Sequence, residues 1–467
     1  MNIYLPCDIR GHATEDLTPE LYRHWGRTLG SRLQPRDKFV VGGDVRKSTA
    51  AFQAALIEGL RELGLDVVDL GCVPTPMVDY ARRRLGAAGS AMVTGAHSPS
   101  EINGLKWMLG DTPPSPEDIA WMESAVASGG SGSAARQDGT VRPLDISFDY
   151  VAWLQETWVD ALSAHGHIVL DPMHGCWSGR IRRYMHAIFP QSLFLSIHDH
   201  PAADFAGCRP DCSHPEHLHA LCDAVYRHRA DLGLAFDGDG DRLAVVDNEG
   251  IALTAEELSW ILLQSFGDRL QGRPFVYDLK FSDRIAEAAA GQGATPLVER
   301  SGHGFVHRRM QQLGAPFGAE VSGHYFFDAL DGGEDALFAA CWLFAWLAQR
   351  EETLADWRRR CPAVYMTPDL RLAVSPEMQA EVLQRVSGAW SGFPQKTFDG
   401  LRVDTPAGWG LVRSSVTEAA LTFRFEAIDW SALDDLVDRF CQSLGDLGDQ
   451  LWTRYQVAMG HGSHSGG

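Results

Sequence analysis

The sequence predicts three successive mixed α/β domains followed by a smaller C-terminal α+β domain. Strand-like and helix-like segments alternate over most of the chain, which is typical of parallel sheets with crossover helices. At 467 residues the chain is also too long for a single hydrophobic core. Its composition, with 45% apolar and 22% charged residues, is ordinary for a soluble globular protein.

The first predicted domain covers residues 1–144. Its predicted elements are, in order, a strand at Lys38–Gly42, a helix at Thr49–Leu63, a strand at Leu65–Leu70 and a strand over residues 89–94. The run Ser128–Ser133 contains only Ser and Gly, which predicts a flexible, exposed loop near the end of this domain.

The second and third predicted domains cover residues 145–250 and 251–363. The second has a strand at Ile168–Leu170 and ends after a strand at Arg242–Val246 and the turn Asp247–Gly250. The third opens with Thr254-Ala-Glu-Glu257, a capping-box signature ahead of an apolar helix, and contains a strand at Phe275–Tyr277. Three α/β units of similar length invite the idea of a triplication.

The fourth predicted domain covers residues 364–455 and mixes strands with helices. Residues Leu421–Phe425 alternate as a half-buried strand does. Residues 456–467 are predicted to be a disordered tail.

The net charge of −20 argues against a nucleic acid or an anionic membrane as a partner. No run of about 18 apolar residues predicts a membrane span, and the first residues lack the pattern of a secretion signal. We therefore expect a cytoplasmic protein. A phosphorylated ligand would have to be held by a local cluster of cations and helix N-termini.

Nine cysteines are scattered without framework spacing, which suits reduced thiols. One cluster contains residue types that can bind zinc: Cys208, Cys212, His214, His217 and His219. The usual paired Cys-x₂-Cys spacing is absent, and neighbouring prolines favour a surface loop. Both interpretations stay open at this point.

A metal site is predicted by Asp237, Asp239 and Asp241, which alternate with two glycines directly after the apolar run Leu232, Leu234, Ala235 and Phe236. A hard cation such as Mg²⁺ prefers converging oxygen ligands, and the glycines let the backbone bend around the ion. A calcium-binding helix-loop-helix is excluded, because its sixth and twelfth positions would hold Arg242 and Asn248 instead of Gly and Glu. An acidic turn without metal is the remaining alternative.

Three further loops carry polar residues in patterns that suit a small anionic ligand. In the loop 94–106, His97 could transfer protons and Lys106 could supply charge to a phosphate. In the segment 318–324, Glu320 and Ser322 are alternate residues that could bind adjacent sugar hydroxyls. After a strand near residue 410, Arg413, Ser415 and Thr417 offer a forked cation and two hydroxyls. Each loop taken alone is also compatible with a purely structural turn.

Taken together and in this order, the motifs resemble those of the α-D-phosphohexomutase superfamily, the phosphomannomutases and phosphoglucomutases. The resemblance covers essentially the whole chain. The motifs are Asp8–Gly11, Gly43–Ser48, the loop 94–106, Asp237–Arg242, Gly318–His324 and Arg413–Glu418.

The resemblance implies four domains around a central cleft, with one loop from each domain. It implies that a phosphoserine exchanges a phosphoryl group between C1 and C6 of a hexose phosphate through a hexose 1,6-bisphosphate, with Mg²⁺ as cofactor. The implied partner is the small-molecule hexose phosphate, and the implied assembly is a monomer or weak dimer.

The resemblance also implies roles for individual residues. Asp237, Asp239 and Asp241 resemble the metal ligands, and Arg242 resembles a residue that orients the phosphoryl group. Glu320 and Ser322 resemble the sugar-hydroxyl readers, and Arg284 lies where a phosphate contact is often found. Arg10, Lys106 and His324 resemble groups around the reacting centre, whereas Arg413, Ser415 and Thr417 resemble the phosphate clamp.

The sequence departs from the family at the nucleophile. The family loop reads Thr-x-Ser-His, whereas this chain has Thr94-Gly-Ala-His. Ala96 therefore stands at the phosphoserine position, and its side chain has no oxygen to phosphorylate. Ser98 is no simple substitute, since Cα atoms two residues apart on an extended chain are separated by roughly 6–7 Å. Three hypotheses follow: an engineered alanine form of an ordinary mutase, a natural non-catalytic relative that binds a sugar phosphate, and a metal-assisted sugar-phosphate phosphatase.

Overall fold

The computed structural model describes residues 2–129, 137–414 and 420–460. The chain forms two compact units. The first consists of Met1–Tyr277, Gln292–Leu297 and Gly302–Cys361, and the second of Asp278–Gly291, Val298–Ser301 and Pro362–Gly467. The first two sheets and most of the third belong to the first unit, and the fourth sheet belongs to the second.

The first sheet has six strands in the order β1-β5-β4-β2-β3-β6. Its strands are β1 (Ile9–His12), β2 (Lys38–Gly43), β3 (Asp66–Cys72), β4 (Gly89–Val93), β5 (Ile102–Leu109) and β6 (Val141–Pro143). Its helices are α1 (Pro19–Gly30), α2 (Thr49–Glu62), α3 (Thr75–Leu85) and α4 (Pro116–Ala127). Strands β4, β2, β3 and β6 are parallel, whereas β5 runs antiparallel to β4 and to β1. The predicted Gly-Ser loop lies, from residue 130 onward, outside the described residues.

The second sheet has four strands in the order β10-β9-β7-β8. Its strands are β7 (His167–Asp171), β8 (Leu193–Ser196), β9 (Leu232–Phe236) and β10 (Leu243–Asp247), and its helices are α5 (Ser147–Thr157), α6 (Ile181–Ile188) and α7 (His219–His228). Strands β8, β7 and β9 are parallel, and β10 runs antiparallel to β9.

The third sheet has the order β12-β11-β13-β14. Its strands are β11 (Pro274–Asp278), β12 (Thr295–Glu299), β13 (Phe317–Ala319) and β14 (Tyr325–Phe327). Five helices belong to this part of the chain: α8 (Ala255–Phe266), α9 (Asp283–Gly291), α10 (His303–Leu313), α11 (Ala336–Leu347) and α12 (Leu354–Arg360). Strand β13 runs parallel to β11 and antiparallel to β14. The predicted capping box is confirmed at the start of α8, where Thr254 and Glu257 cap one another's backbone N–H groups.

The fourth sheet is antiparallel, which agrees with the α+β class predicted for this part of the chain. Its strands are β15 (Tyr365–Met366), β16 (Leu370–Ala373), β17 (Gln395–Lys396), β18 (Leu401–Thr405), β19 (Gly408–Ser414) and β20 (Ala420–Ala427). Its helices are α13 (Pro376–Ala389), α14 (Trp430–Gln442) and α15 (Asp446–Ala458). Trp390, Phe425 and Phe440 pack in its core. Helix α15 extends past residue 456, where we placed the start of the tail, and residues 461–467 lie outside the described residues.

The first three sheets share one type of strand connection. In each, a strand of the parallel set is followed directly in sequence by an antiparallel neighbour: β4 by β5, β9 by β10 and β13 by β14. The three connecting segments contain residues 94–101, 237–242 and 320–324, which are the polar loops singled out in the sequence. Within the part of the chain that the structure describes, no helix is long and apolar enough to cross a membrane.

Candidate functional site

The acidic loop between β9 and β10 is buried and tightly folded. Asp237, Asp239 and Asp241 are each at most 1% exposed. Asp237 Oδ1 accepts the backbone N–H groups of Gly240, Asp241 and Arg242 at 3.0, 3.1 and 3.2 Å. Gly240 has a φ of +79°, a conformation that glycine adopts without strain. The loop thus folds around the carboxylate of Asp237. We call residues 237–242 the metal loop.

Each of the three carboxylates keeps one oxygen without a hydrogen-bond partner. These oxygens are Oδ2 of Asp237, Oδ1 of Asp239 and Oδ1 of Asp241, and all three are buried. The three residues offer ligand atoms that lie within 4.8 Å of one another. Burial, together with the charges of Asp239 and Asp241, raises the pKa of Asp237 well above its ordinary value. A hard divalent cation fits this donor set, because it would satisfy all three oxygens and offset their mutual repulsion.

Lys106 and Thr75 join the first domain to the metal loop. Lys106 Nζ on β5 donates to Asp239 Oδ2 at 2.6 Å and also to Asp241 Oδ2. Burial alone would lower the pKa of Lys106, but the surrounding carboxylates raise it above its ordinary value. Thr75, the first residue of α3, donates to Asp239 through its hydroxyl at 2.7 Å and its backbone N–H at 2.9 Å. Lys106 therefore carries a fixed positive charge beside the proposed cation position.

Ala96 lies beside the metal loop in a left-handed conformation. Its φ is +52° and it is buried. The backbone N–H of Ala96 donates to Thr94 Oγ1 at 2.8 Å, and its carbonyl accepts from Arg46 Nη2 at 2.9 Å. A Cβ added to Gly238 would lie 2.7 Å from the same carbonyl oxygen, so the two loops meet backbone to backbone. The backbone of Ala96 is thus held by hydrogen bonds next to the acidic loop.

Arg10, His97 and Asp211 form a chain of hydrogen bonds. Arg10 Nη1 donates to His97 Nε2 at 3.1 Å, and His97 Nδ1 lies 2.9 Å from Asp211 Oδ2. A guanidinium only donates, so Nε2 accepts and the proton resides on Nδ1. Burial and the Arg242 charge lower the pKa of His97 to about 4. Both ring nitrogens of His97 are engaged within the protein, so the ring is held between Arg10 and Asp211.

His324 and Arg242 form a second pair at the metal loop. Arg242 Nε donates to His324 Nε2 at 3.1 Å, so the proton of the ring resides on Nδ1. That nitrogen is buried without a hydrogen-bond partner and lies 3.8 Å from Asp241 Oδ1. Burial, with the Arg242 charge, lowers the pKa of His324 well below its ordinary value. His324 is therefore neutral and presents one N–H donor beside the metal loop.

Glu320 and Ser322 contact one another in the third domain's loop. Ser322 Oγ donates to Glu320 Oε1 at 2.7 Å, while Glu320 Oε2 is buried without a partner. The free oxygen of Glu320 can accept a hydrogen bond from one hydroxyl group of a ligand, and the oxygen of Ser322 can accept a hydrogen bond from a second hydroxyl group.

The remaining predicted phosphate ligands belong to the second compact unit. Arg284 lies in the first turn of α9 and donates to Glu287 at 3.4 Å. Arg413, on β19, pairs with Asp399 at 3.2 Å, and its Nε is buried without a hydrogen-bond partner. Ser415 and Thr417 lie outside the described residues.

The proposed zinc cluster is not brought together. Among residues 2–129, 137–414 and 420–460, the groups of three possible metal ligands are Asp237, Asp239 and Asp241, and Asp241, His324 and Glu334. Cys208 is exposed, whereas Cys212 is buried in the core of the second domain.

The sequence predictions missed several residues that contact the site. Asp211 orients His97, yet its surroundings resemble a surface loop. Thr75 contacts Asp239 from the start of an ordinary helix. His303, whose ring stacks on His324 with centroids 5.6 Å apart, donates toward Glu334 at 3.2 Å. Its motif Ser301-Gly-His303 could have drawn attention to it.

The fold and site together define a protein of the α/β class with a buried acidic loop between β9 and β10 of a mixed sheet. Three family models match the chain: phosphoglucomutase/phosphomannomutase alpha/beta/alpha domain I at residues 7–131, domain II at 149–250 and domain III at 254–365. The chain belongs to the phosphoglucomutase/phosphomannomutase family, within the α-D-phosphohexomutase superfamily, and is an isomerase of the phosphohexomutase type.

Named relatives agree with this assignment. The chain is 32% identical to a phosphomannomutase/phosphoglucomutase from Pseudomonas aeruginosa over 91% of this chain and 92% of that protein. It is 28% identical to a phosphoglucomutase from Neisseria gonorrhoeae over 94% and 96% of the two chains. A solved phosphoglucomutase/phosphomannomutase family protein from Burkholderia thailandensis has 29% identity and a TM-score of 0.86, covering 95% of this chain and 97% of that one.

Proposed function

We propose that this site transfers a phosphoryl group between C1 and C6 of a hexose phosphate through a hexose 1,6-bisphosphate, and that Ala96 interrupts this cycle at its covalent step. The family assignment supports the reaction class. The observation that carries the proposal is the set of three unsatisfied carboxylate oxygens in a loop that touches the backbone of Ala96.

Asp237, Asp239 and Asp241 would hold Mg²⁺, which supplies positive charge to a transferring phosphoryl group when bound. Lys106 and Arg242 add fixed positive charge around that position. His324 offers a neutral N–H donor. Glu320 and Ser322 would bind adjacent hydroxyls of the sugar, while Arg10, held by His97, would contact a phosphate oxygen.

The covalent step needs an oxygen nucleophile at position 96, and alanine has none. Removing the nucleophile from an enzyme that depends on it costs on the order of 10⁶ in turnover. The loop that carries position 96 is otherwise intact, since Thr94, Arg46 and Gly238 fix its backbone. A serine at position 96 would stand where the methyl group of Ala96 stands now.

The test is Ala96→Ser assayed with glucose 1-phosphate and with mannose 1-phosphate, with Mg²⁺ and catalytic hexose 1,6-bisphosphate present. We expect conversion to the 6-phosphate by the serine variant and at least 10⁴-fold slower conversion by the chain as it stands. Ala96→Thr is the matched control, since it adds an oxygen on a β-branched side chain, which the left-handed φ of +52° at this position disfavours. An Ala96→Ser protein that is folded, binds bisphosphate and remains inactive on hexose and hexosamine phosphates would contradict the mutase proposal.

Ala96 itself favours a second candidate function, the binding of a sugar phosphate without interconversion. This candidate predicts calorimetric binding of hexose 1,6-bisphosphate by both forms and turnover by neither. Release of inorganic phosphate from the bisphosphate by the chain as it stands would instead identify a metal-assisted phosphatase. The cytoplasmic location and the monomeric or weakly dimeric state remain predictions, and sedimentation of the purified protein tests the latter.

A further inference from the structure

One segment of the second domain, residues 204–211, contacts the loop that carries position 96, and we call it the covering segment. It lies between β8 and α7. Pro210 O accepts a backbone N–H group of the metal loop at 2.9 Å, and Asp211 Oδ2 lies 2.9 Å from His97 Nδ1. Phe205, near the start of the segment, is fully buried and has no part in the proposed reaction.

The ring of Phe205 faces the guanidinium group of Arg46, a residue of the first domain. The Cζ atom of Arg46 lies 4.7 Å from the ring centroid, within the range of a cation–π interaction. The Arg46 side chain is fully buried and pairs with Asp44, which is equally buried. Arg46 Nε is buried without a hydrogen-bond partner. The negative face of the aromatic ring therefore stabilises a charge that is removed from water.

Arg46 holds the loop that carries position 96 at two points. Its Nη2 donates to the carbonyl oxygen of Ala96 at 2.9 Å and also to that of Ser98. Between these points the backbone turns, since the N–H of Ser98 donates to Gly95 O at 3.0 Å. A guanidinium group is planar, so its tilt determines whether both carbonyl oxygens are reached at once. The ring of Phe205 packs on its face and restricts that tilt.

The backbone of the covering segment is strained where it presents this ring. Phe205 has a φ of +53° and Ala206 a φ of +54°. A left-handed conformation is rare for a bulky residue and raises its energy. Asp204 supports the bend, because its Oδ1 accepts the backbone N–H of Ala206 at 3.1 Å. Contacts of the buried ring must offset the strain, and the contact with Arg46 is one of them.

We propose that Phe205 is a positioning residue for position 96: its ring orients the guanidinium group of Arg46, which in turn fixes the carbonyl groups of Ala96 and Ser98. The second domain thereby sets the conformation of a loop that belongs to the first. The consequence for the reaction rests on the proposed function, in which this loop carries the phosphoryl group when position 96 is serine. The contact between ring and guanidinium group is testable without the reaction.

Hydrogen exchange of the native full-length protein tests the contact. Mass spectrometry of peptides covering residues 94–99 compares the parent chain with Phe205→Leu, which keeps an apolar side chain and removes the aromatic face. We expect exchange about tenfold faster in the variant, the size of a desolvated cation–π contact. Phe189→Leu is the matched control, because Phe189 is also a buried residue of the second domain and packs edge-on against Phe344 with ring centroids 4.9 Å apart. The control should exchange at residues 94–99 as the parent does.

Fluorinated analogues separate the charge distribution of the ring from its shape. Pentafluorophenylalanine incorporated at position 205 removes the negative potential of the ring face, whereas 4-fluorophenylalanine reduces it only in part. We expect exchange of residues 94–99 to become faster in that sense, with the pentafluoro variant approaching the rate of Phe205→Leu. A ring that only fills space would give equal exchange across the series. The analogues also decide the question if Phe205→Leu does not fold.

The consequence for the reaction is measured in an Ala96→Ser background. Phe205→Leu should lower kcat about tenfold and leave KM for the hexose phosphate within about twofold, because the proposed sugar-binding residues belong to another loop. An inactive Ala96→Ser protein would contradict the mutase proposal, and the exchange result would still decide the contact. Unchanged exchange in Phe205→Leu, or equal exchange across the fluorinated series, would overturn the role of Phe205. Faster exchange with an unchanged kcat would overturn its part in positioning the loop for transfer.

Discussion

The α-carbon of Gly238 faces the carbonyl oxygen of Ala96 so closely that an added Cβ would lie 2.7 Å from it. The same Cβ would lie 3.0 Å from Cγ of Pro210. The metal loop and the loop that carries the nucleophile position are therefore in direct backbone contact. This contact places position 96 of the first domain beside the acidic loop of the second.

We expect Gly238→Ala to weaken the site. The new methyl group meets a backbone oxygen that cannot rotate away, so the loops must separate, at a cost of about 1–3 kcal/mol in the free energy of unfolding. Urea unfolding measures the loss of stability, and calorimetry with Mg²⁺ measures the loss of affinity at the metal loop. Gly388→Ala is the control, because Gly388 lies exposed in α13 and its added Cβ meets nothing within 4 Å. The control should be stabilised by about 0.5–1 kcal/mol, and equal losses in both variants would contradict the argument.

Lys106→Met tests the fixed charge beside the metal loop. Without the ammonium group, Asp239 and Asp241 lose their shared partner, and breaking such a buried pair costs about 3–5 kcal/mol. Mg²⁺ should recover part of this loss, since the cation would replace the missing charge. We therefore expect a larger rise in Tm on adding Mg²⁺ for this variant than for the parent protein. The exposed Lys47→Met variant should show the parent's response, and a Lys106→Met protein insensitive to Mg²⁺ would contradict the prediction.

His97 should remain neutral through the physiological range. Its pKa is lowered to about 4 by burial and by Arg242, so its ring signals should not shift between pH 5.5 and 8. In the unfolded chain, the His97 ring takes up a proton near pH 6.5, whereas in the folded protein it does so only near pH 4. The stability contributed by neutral His97 is therefore lost as the pH falls from about 6.5 towards 4. NMR of the histidine rings, with His97→Asn for assignment, measures the titration. His198, whose pKa is raised by its hydrogen bond to Asp171, should titrate above its ordinary value in the same spectra.

Asp335 should make the folded protein less stable as the pH rises, which is opposite in sign to the contribution of His97. It caps α11, accepts from Phe338 N at 3.0 Å and Tyr150 Oη at 2.7 Å, and burial raises its pKa to about 6. The native state holds this proton up to about pH 6, whereas the unfolded chain releases it near 3.8, so stability falls as the pH rises between these values, by up to about 3 kcal/mol. Asp335→Asn keeps the helix cap and removes the titrating group. Denaturant unfolding at pH 4 and pH 7 should show a smaller difference for the variant, and an unchanged difference would contradict the assignment.

The sequence predicted the fold class well because its signals are local. Short apolar runs located the strands that became β2, β7 and β11, and the Thr254–Glu257 pattern located the start of α8. The alternation of aspartates and glycines likewise predicted the metal loop. Such patterns depend on neighbouring residues, which a single sequence displays in full.

Asp211 and Thr75 could not be found in this way. Asp211 matters because it accepts from His97, and Thr75 because it donates to Asp239, and each partner lies more than 100 residues away along the chain.

By itself, the sequence determined the α/β class, the acidic loop, and the absence of a side-chain oxygen on residue 96. Only the tertiary structure decided that this residue touches Gly238 and that Lys106 shares its charge between Asp239 and Asp241. The tertiary structure also decided which ring nitrogen carries the proton in His97 and in His324. The physical reason is that hydrogen bonds and burial act through space between domains, whereas composition and spacing act along the chain.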